Sequence, residues 1–118
     1  MSEVFNPASV EQAIAGLSNR IAKGVGVCNT AYRAFQDAQH ALDLAEARAY
    51  MAFDGPAHEK KYAATLAVEE ERRTRDLAEA AYRHADRQSR ALQGELMAMQ
   101  SVNKSVLAMW SAAGTVER

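Results

Sequence analysis

His40, His58, His84 and Cys28 are the side chains of this chain best suited to metal or nucleophilic chemistry. The three histidines fall on no repeated metal-ligand spacing. Asp37-x-x-His40 sets a carboxylate and an imidazole one helical turn apart, a pair that metal sites in helical bundles use. Such sites repeat the pair and add inward glutamates; here it occurs once, and a solvated helical face is the expected role. Cys28 is the only cysteine, so neither an internal disulfide nor a cysteine-rich zinc site can form. It lies on an apolar helical face, where a thiol serves as a small core side chain. The chain has no glycine-rich phosphate loop, nucleophile elbow or His-Glu-x-x-His motif. A non-enzymatic protein without metal or cofactor is expected.

Charge supplies the remaining chemistry. With 14 basic and 15 acidic residues the formal charge is −1, so a basic surface must be local. Glu69, Glu70 and Glu71 adjoin Arg72, Arg73 and Arg75, and Glu69–Arg73 and Glu71–Arg75 have the spacing for ion pairs along a helix. Arg83, Arg87 and Arg90 share one helical face with only Asp86 near. Arg48 comes close to Lys60 and Lys61 across a predicted turn. The last two groups are the candidate nucleic-acid contacts, and an ordinary charged surface is the plainer reading of each. Binding through them would be salt-sensitive and blind to base sequence, because phosphates carry no base information. Repetition in an oligomer would strengthen it by effective concentration. Tyr32, Tyr50 and Tyr62 could stack on bases; packing between helices is their commoner role.

The elements that must position these residues are helices. No segment alternates with period two, and helix formers run nearly throughout. Asn6-Pro7 opens a short first helix, about residues 8–23, with Ser9 as N-cap and Gln12 three residues on. Val10, Ile14, Leu17 and Ile21 form its apolar face. Gly24-Val25-Gly26 predicts a hinge or turn, since each glycine costs about 1 kcal/mol against alanine in a helix. A second helix spans about 27–53, ended by a turn at 54–56, with Gly55 left-handed and Pro56 starting the next segment. One long helix over about 57–113 completes the chain, with Gly94 and the stretch near Ser101 as places to bend.

Alanine recurs every seventh residue at Ala31, Ala38, Ala45 and Ala52, interleaved with Cys28, Phe35, Leu42 and Ala49. A heptad beat keeps one seam facing a partner helix, and alanine lets the backbones approach closely. The short turn makes the next helix that partner, antiparallel, with Leu42 beside about Val68 and Ala31 beside about Glu79. The expected facing seam is Ala63, Ala67, Glu70, Thr74, Leu77 and Ala81. The predicted fold is thus all-α: a short N-terminal helix plus a long antiparallel, alanine-rich, coiled-coil-like hairpin in one domain of 118 residues.

Apolar residues make up 48% of the chain, but alanine supplies much of that and buries little area. Folding the hairpin brings Ile14, Leu17 and Ile21 near Leu92, Leu96, Met99, Val106 and Trp110 at one end. That set is more apolar than two helices cover, which predicts a homo-oligomer assembled through these eight residues. A monomeric three- or four-helix bundle, with the first or last segment folded back, is the alternative. The N-terminus lacks a secretory pattern, no apolar stretch reaches the roughly 20 residues that cross a bilayer, and a cytoplasmic location is expected.

"AEARAYMAFDG" (45–55), the charged helix after it and the late "SVNKS" resemble, in order and length, the UvsY-type recombination mediators of tailed phages, over roughly Ala31 to Trp110. The resemblance implies an oligomer that binds single-stranded DNA, loads a RecA-like recombinase and helps it displace a single-strand-binding protein. The family's basic Lys-Ala-Arg-Leu motif aligns with Glu46-Ala47-Arg48-Ala49: Arg48 matches, Glu46 reverses a charge and Ala49 replaces leucine. The alternative is a helical protein–protein adaptor or a structural (for example viral) component without DNA contact, which the near-zero charge favours. A secreted helical hairpin of the Trp-x-Gly type fits the length but fails at the turn, which reads Asp54-Gly55-Pro56.

Overall fold

The computed structural model describes residues 6–116, and among these the regular elements are all helical. Helix α1 spans Pro7–Ala52, a 3-10 turn spans Ala57–Glu59, α2 spans Lys60–Ala67 and α3 spans Glu69–Val116. Two compact units can be distinguished. The turn unit is Val27–Asp86, and the terminal unit joins Met1–Gly26 with Arg87–Arg118.

Helix α1 starts at Pro7, within one residue of the expected start, but its cap is not Ser9. The Ser9 amide donates to Asn6 Oδ1 (2.9 Å) and the Asn6 amide to Ser9 Oγ (3.3 Å), so Asn6 is the cap and Ser9 its reciprocal partner. Pro7 then takes the first helical position, where its missing N–H costs nothing.

The hinge predicted at Gly24-Val25-Gly26 is absent: α1 is continuous over 46 residues, so the N-terminal helix is long, not short. The half-buried and buried positions of α1 explain why. Val10, Ile14, Leu17, Ile21, Gly24, Cys28, Ala31, Phe35, Ala38, Leu42, Ala45 and Ala49 are all at least partly covered, stepping by three and four without a slip. Gly24 holds a seam position, and a seam in unbroken phase outweighs the propensity of two glycines. Neither glycine has a positive φ.

In the turn unit α1 and α3 run antiparallel: Tyr32 and Phe35 meet Tyr82, and Glu46 meets Arg72. The expected register placed Tyr32, Phe35 and Glu46 opposite about residues 78, 75 and 64, so the true pairing is shifted by about one to two turns along α3. The facing seam, however, is rotated by one residue. Ala64, Val68, Glu71, Arg75, Ala78, Tyr82 and Ala85 turn inward, whereas Ala67, Glu70, Thr74, Leu77 and Ala81 are exposed. Ala63 alone of the expected set stays half-buried. The rotation buries Val68 and covers Tyr82, leaving Leu77 67% exposed.

The turn also differs from expectation. No glycine among the described residues has a positive φ. Gly55 instead gives room to the Phe53 ring: a Cβ there would lie 2.7 Å from Phe53 Cε1 and Cζ, and the ring would have to shift. The Phe53 ring closes onto the reversal, and the Glu59 amide donating to the Pro56 carbonyl (3.0 Å) starts the 3-10 turn.

The long second arm breaks at Val68 (φ −110°, ψ 26°), not at Gly94 or Ser101, which both lie inside α3. Two local forces meet there. The Thr65 hydroxyl donates back to the Lys61 carbonyl (3.0 Å), an arrangement that bends helices. Glu69, Glu70 and Glu71 then open α3, where the positive end of the helix dipole offsets their mutual repulsion.

In the terminal unit Val10, Leu17 and Val106 are buried and Ile14, Ile21, Leu92, Leu96 and Met99 half-buried. Here α1 contributes the described residues 7–26 and α3 residues 87–116, and every residue from Leu107 to Gly114 is exposed.

Candidate interaction surfaces

The basic residues near the turn all belong to the turn unit. Arg48 is exposed on α1, seven residues before Gly55, and Lys61 is exposed on α2. Lys60 is half-covered because its ammonium lies 5.5 Å from the centre of the Tyr50 ring, a cation–π contact. Tyr50 is itself partly open, and Tyr62 is 69% exposed on α2. Two lysines, an arginine and two tyrosines thus occupy the chain on either side of the reversal. Their acidic neighbours are Asp54 and Glu59, the latter 4.0 Å from the exposed His58 imidazole.

Glu46, the charge reversal within the Glu46-Ala47-Arg48-Ala49 stretch, faces the other helix. Its Oε2 lies 3.9 Å from Arg72 Nη2, bridging α1 and α3. Both side chains are more than a third exposed, so the pair sets alignment more than stability. The acidic residue therefore serves the helix pair, while Arg48 is exposed.

The second basic group is less available than its spacing suggested. Arg83 donates to Glu79 Oε2 at 3.1 Å, and Glu79 also receives Arg75 at 3.5 Å. Arg83 lies in the turn unit, Arg87 and Arg90 in the terminal unit. Arg87 and Arg90 are exposed on α3, and Arg90, like Asp86, is engaged in an interaction of its own.

Of the predicted pairs along α3, Arg73 does hold Glu69 (3.7 Å) and more closely Glu70 (2.7 Å). Arg75 does not reach Glu71. It turns to Asp76 and Glu79, and its Nε, 3.3 Å from Asp76 Oδ1, lacks hydrogen-bond alignment. Glu71 Oε2 is buried with no hydrogen-bond partner, beside a shallow notch lined by Ala38, Ala41, Glu70 and Thr74. Asn103 Oδ1, on the α3 seam of the terminal unit, is likewise buried and unpaired. Polar groups at seam positions cost stability and discriminate between registers.

The eight residues expected to form an oligomer interface divide in two. Ile14, Leu17, Ile21, Leu92, Leu96, Met99 and Val106 lie on the covered faces of the terminal unit's own helices. Trp110 is 55% exposed, with Leu107 and Met109 beside it. Of the eight, Leu17 and Val106 are thus buried within the unit, five are half-buried and Trp110 is exposed. Leu44, Met51 and Leu66, which the sequence reading did not single out, are also exposed, and so is Leu77, which it placed on the inner seam.

Among the described residues, no group of three His, Cys, Asp or Glu side chains could hold a metal ion, and His40 and His84 are exposed. Among them, too, no helix is long and apolar enough to cross a membrane. Comparison with protein families, with curated proteins and with solved structures finds no match to this chain.

Proposed function

We propose that the chain is a non-enzymatic helical interaction module, a paired-helix scaffold that binds protein partners, including copies of itself. One observation carries this reading. Thirteen large hydrophobic residues are exposed among the described residues, against seven buried hydrophobics. Each unit offers two helices, and a helix paired on one side leaves its other faces to water or to partners. Where such side chains adjoin, as Leu107 and Trp110 do on one face of α3, they mark a contact surface. Light scattering with sedimentation velocity over a hundredfold concentration range tests it. Self-association that grows with concentration supports the self-binding part; a strictly monomeric chain leaves only foreign partners and removes that part.

A second reading has its own observation: Lys60 over Tyr50, with Lys61, Arg48 and the open Tyr62, combines cations with stacking surfaces around one turn. That combination suits a single strand of nucleic acid, its phosphates on the cations and its bases on the rings. With it goes the role the UvsY-type resemblance implies, loading a RecA-like recombinase against a single-strand-binding protein. Binding of a single-stranded oligonucleotide, measured by fluorescence anisotropy at low and high salt, tests this reading. An affinity that falls steeply with salt, and is lost when Arg48, Lys60 and Lys61 are changed to glutamate, supports it. Absence of binding at low salt removes it.

A further inference from the structure

The reversal between α1 and the 3-10 turn carries a reactive pair, Asp54-Gly55, that neither functional reading uses. In such a pair the backbone nitrogen of the second residue can attack the side-chain carboxyl of the first and close a five-membered ring. The attack needs a carboxyl with no partner, an amide with no partner and a backbone outside regular structure. It is fastest where the attacking residue carries no side chain, as only glycine does.

Asp54-Gly55 meets each condition. Asp54, Gly55 and Pro56 are exposed and lie outside the helices. An aspartate in a turn commonly bonds the backbone N–H two residues on. Here that residue is Pro56, which has no N–H to offer, and among the described residues Asp54 enters no hydrogen bond or ion pair. The Gly55 amide donates to no carbonyl: the nearest backbone bonds of the reversal run from the Phe53 amide to Ala49 and from the Glu59 amide to Pro56. The Phe53 ring packs where a Cβ of Gly55 would stand, yet Asp54 and Gly55 remain open to water.

No other position among the described residues combines these features. The other four aspartates, with Asn19, Asn29 and Asn103, lie inside α1 or α3. There the amide of the following residue is bound to the carbonyl four residues before it. Asn6 precedes Pro7, which has no N–H to attack with.

We propose that Asp54 is a site of spontaneous isoaspartate formation, a covalent change of the turn that the chain makes by itself. The Gly55 nitrogen bonds to Asp54 Cγ as the Cγ–OH bond of the protonated carboxyl breaks. The hydroxyl leaves with the amide proton as water, and a succinimide remains. Water then opens the ring. Addition at Cγ restores aspartate. Addition at the main-chain carbonyl carbon of Asp54 leaves Gly55 attached through Cγ, with the carboxylate now on Cα. The net charge is unchanged, and water is the only co-reactant. The main chain gains one carbon in the stretch that joins Tyr50 to Lys60, whose ammonium rests on the Tyr50 ring.

The test ages the full chain at physiological temperature and pH, native and in urea side by side. Isoaspartate is counted by methyl transfer from S-adenosylmethionine with an isoaspartyl methyltransferase. Fragmentation mass spectrometry places it in the sequence and shows the succinimide as a species lighter by one water. In the native chain isoaspartate is expected at residue 54 and at none of the helical aspartates or asparagines. Its rate of appearance there should be close to that of the same residue in urea. Asp54→Glu keeps the charge but would need a six-membered ring, and is expected to abolish the signal with helix content unchanged. Three results overturn the proposal: a native chain without isoaspartate at 54, folding that suppresses conversion at 54, or a signal that survives Asp54→Glu.

Discussion

Changing Gly24 and Gly26 together to alanine should raise the melting temperature, and the size of the gain follows from the geometry. Both residues are interior to α1, and neither has a positive φ. A Cβ at either position meets nothing within 4 Å, so no steric penalty offsets the gain. Alanine is favoured over glycine in a helix by about 1 kcal/mol, partly through the lower entropy of its unfolded chain. Gly24 is half-buried on the seam and Gly26 exposed, so the two gains are nearly independent. Together they give roughly 1.5–2 kcal/mol, which for a chain of this size is a rise of about 5–12 °C. The assay is thermal unfolding by far-UV circular dichroism at one fixed protein concentration, since association would itself move the midpoint. Helix content should stay level or rise slightly. A flat or lowered midpoint with lost helicity would refute the continuous α1, because alanine would then be opposing a real break. Gly55→Ala is the matched control. Its new methyl would collide with the Phe53 ring, so it should destabilise.

Leu42→Ala, at a site only 2% exposed, should cost about 2–3 kcal/mol in urea unfolding, whereas Leu44→Ala on the outer face should stay within about 0.5 kcal/mol. Asn103→Leu removes a buried, unpaired Oδ1 and should raise stability by about 1 kcal/mol; a loss would mean that oxygen has a partner. Asn6→Ala deletes the cap of α1 and should cost about 1 kcal/mol, read as faster amide exchange over residues 8–12. If the turn unit binds single-stranded DNA, reversing Arg48, Lys60 and Lys61 should flatten the salt dependence, and Tyr62→Ala should weaken binding by about 1–3 kcal/mol without changing it.

The heptad beat was legible because alanine, cysteine, phenylalanine and leucine recur on it visibly, and the covered face of α1 in the turn unit is that beat. Its continuity was legible too. Ile14, Ile21, Cys28, Phe35 and Leu42 are each seven residues apart, straight across the two glycines. Propensity argued for a hinge and phase argued against it, and phase prevailed, since seam burial acts on many residues and a glycine on one. The facing seam was harder. Choosing Leu77 over Arg75 as an inward residue follows ordinary hydropathy, but the rotation is fixed by Val68 and Tyr82, and Arg75 comes along with them. The kink at Val68 left only a faint mark in sequence, a threonine able to bond backward and three glutamates suited to a first turn. Arg83 shows why basic spacing alone does not define a site: Glu79, one turn earlier, takes up its guanidinium.

The reversal at Gly55 sets an order of events as well as a geometry. Leu42 and Val68 flank it at a separation of about 26 residues, while Val10 and Val106, in the terminal unit, are about 96 apart. Bringing the distant pair together from an open chain costs about 1 kcal/mol more in closure entropy, so the turn unit zips first. On a ribosome the disparity widens. Residues 7–26 leave the exit tunnel long before residues 87–116 exist, and must wait with Val10, Ile14 and Leu17 uncovered. The nascent chain is therefore most exposed to unwanted contacts, or to a chaperone, along residues 7–26 until residues 87–116 have followed.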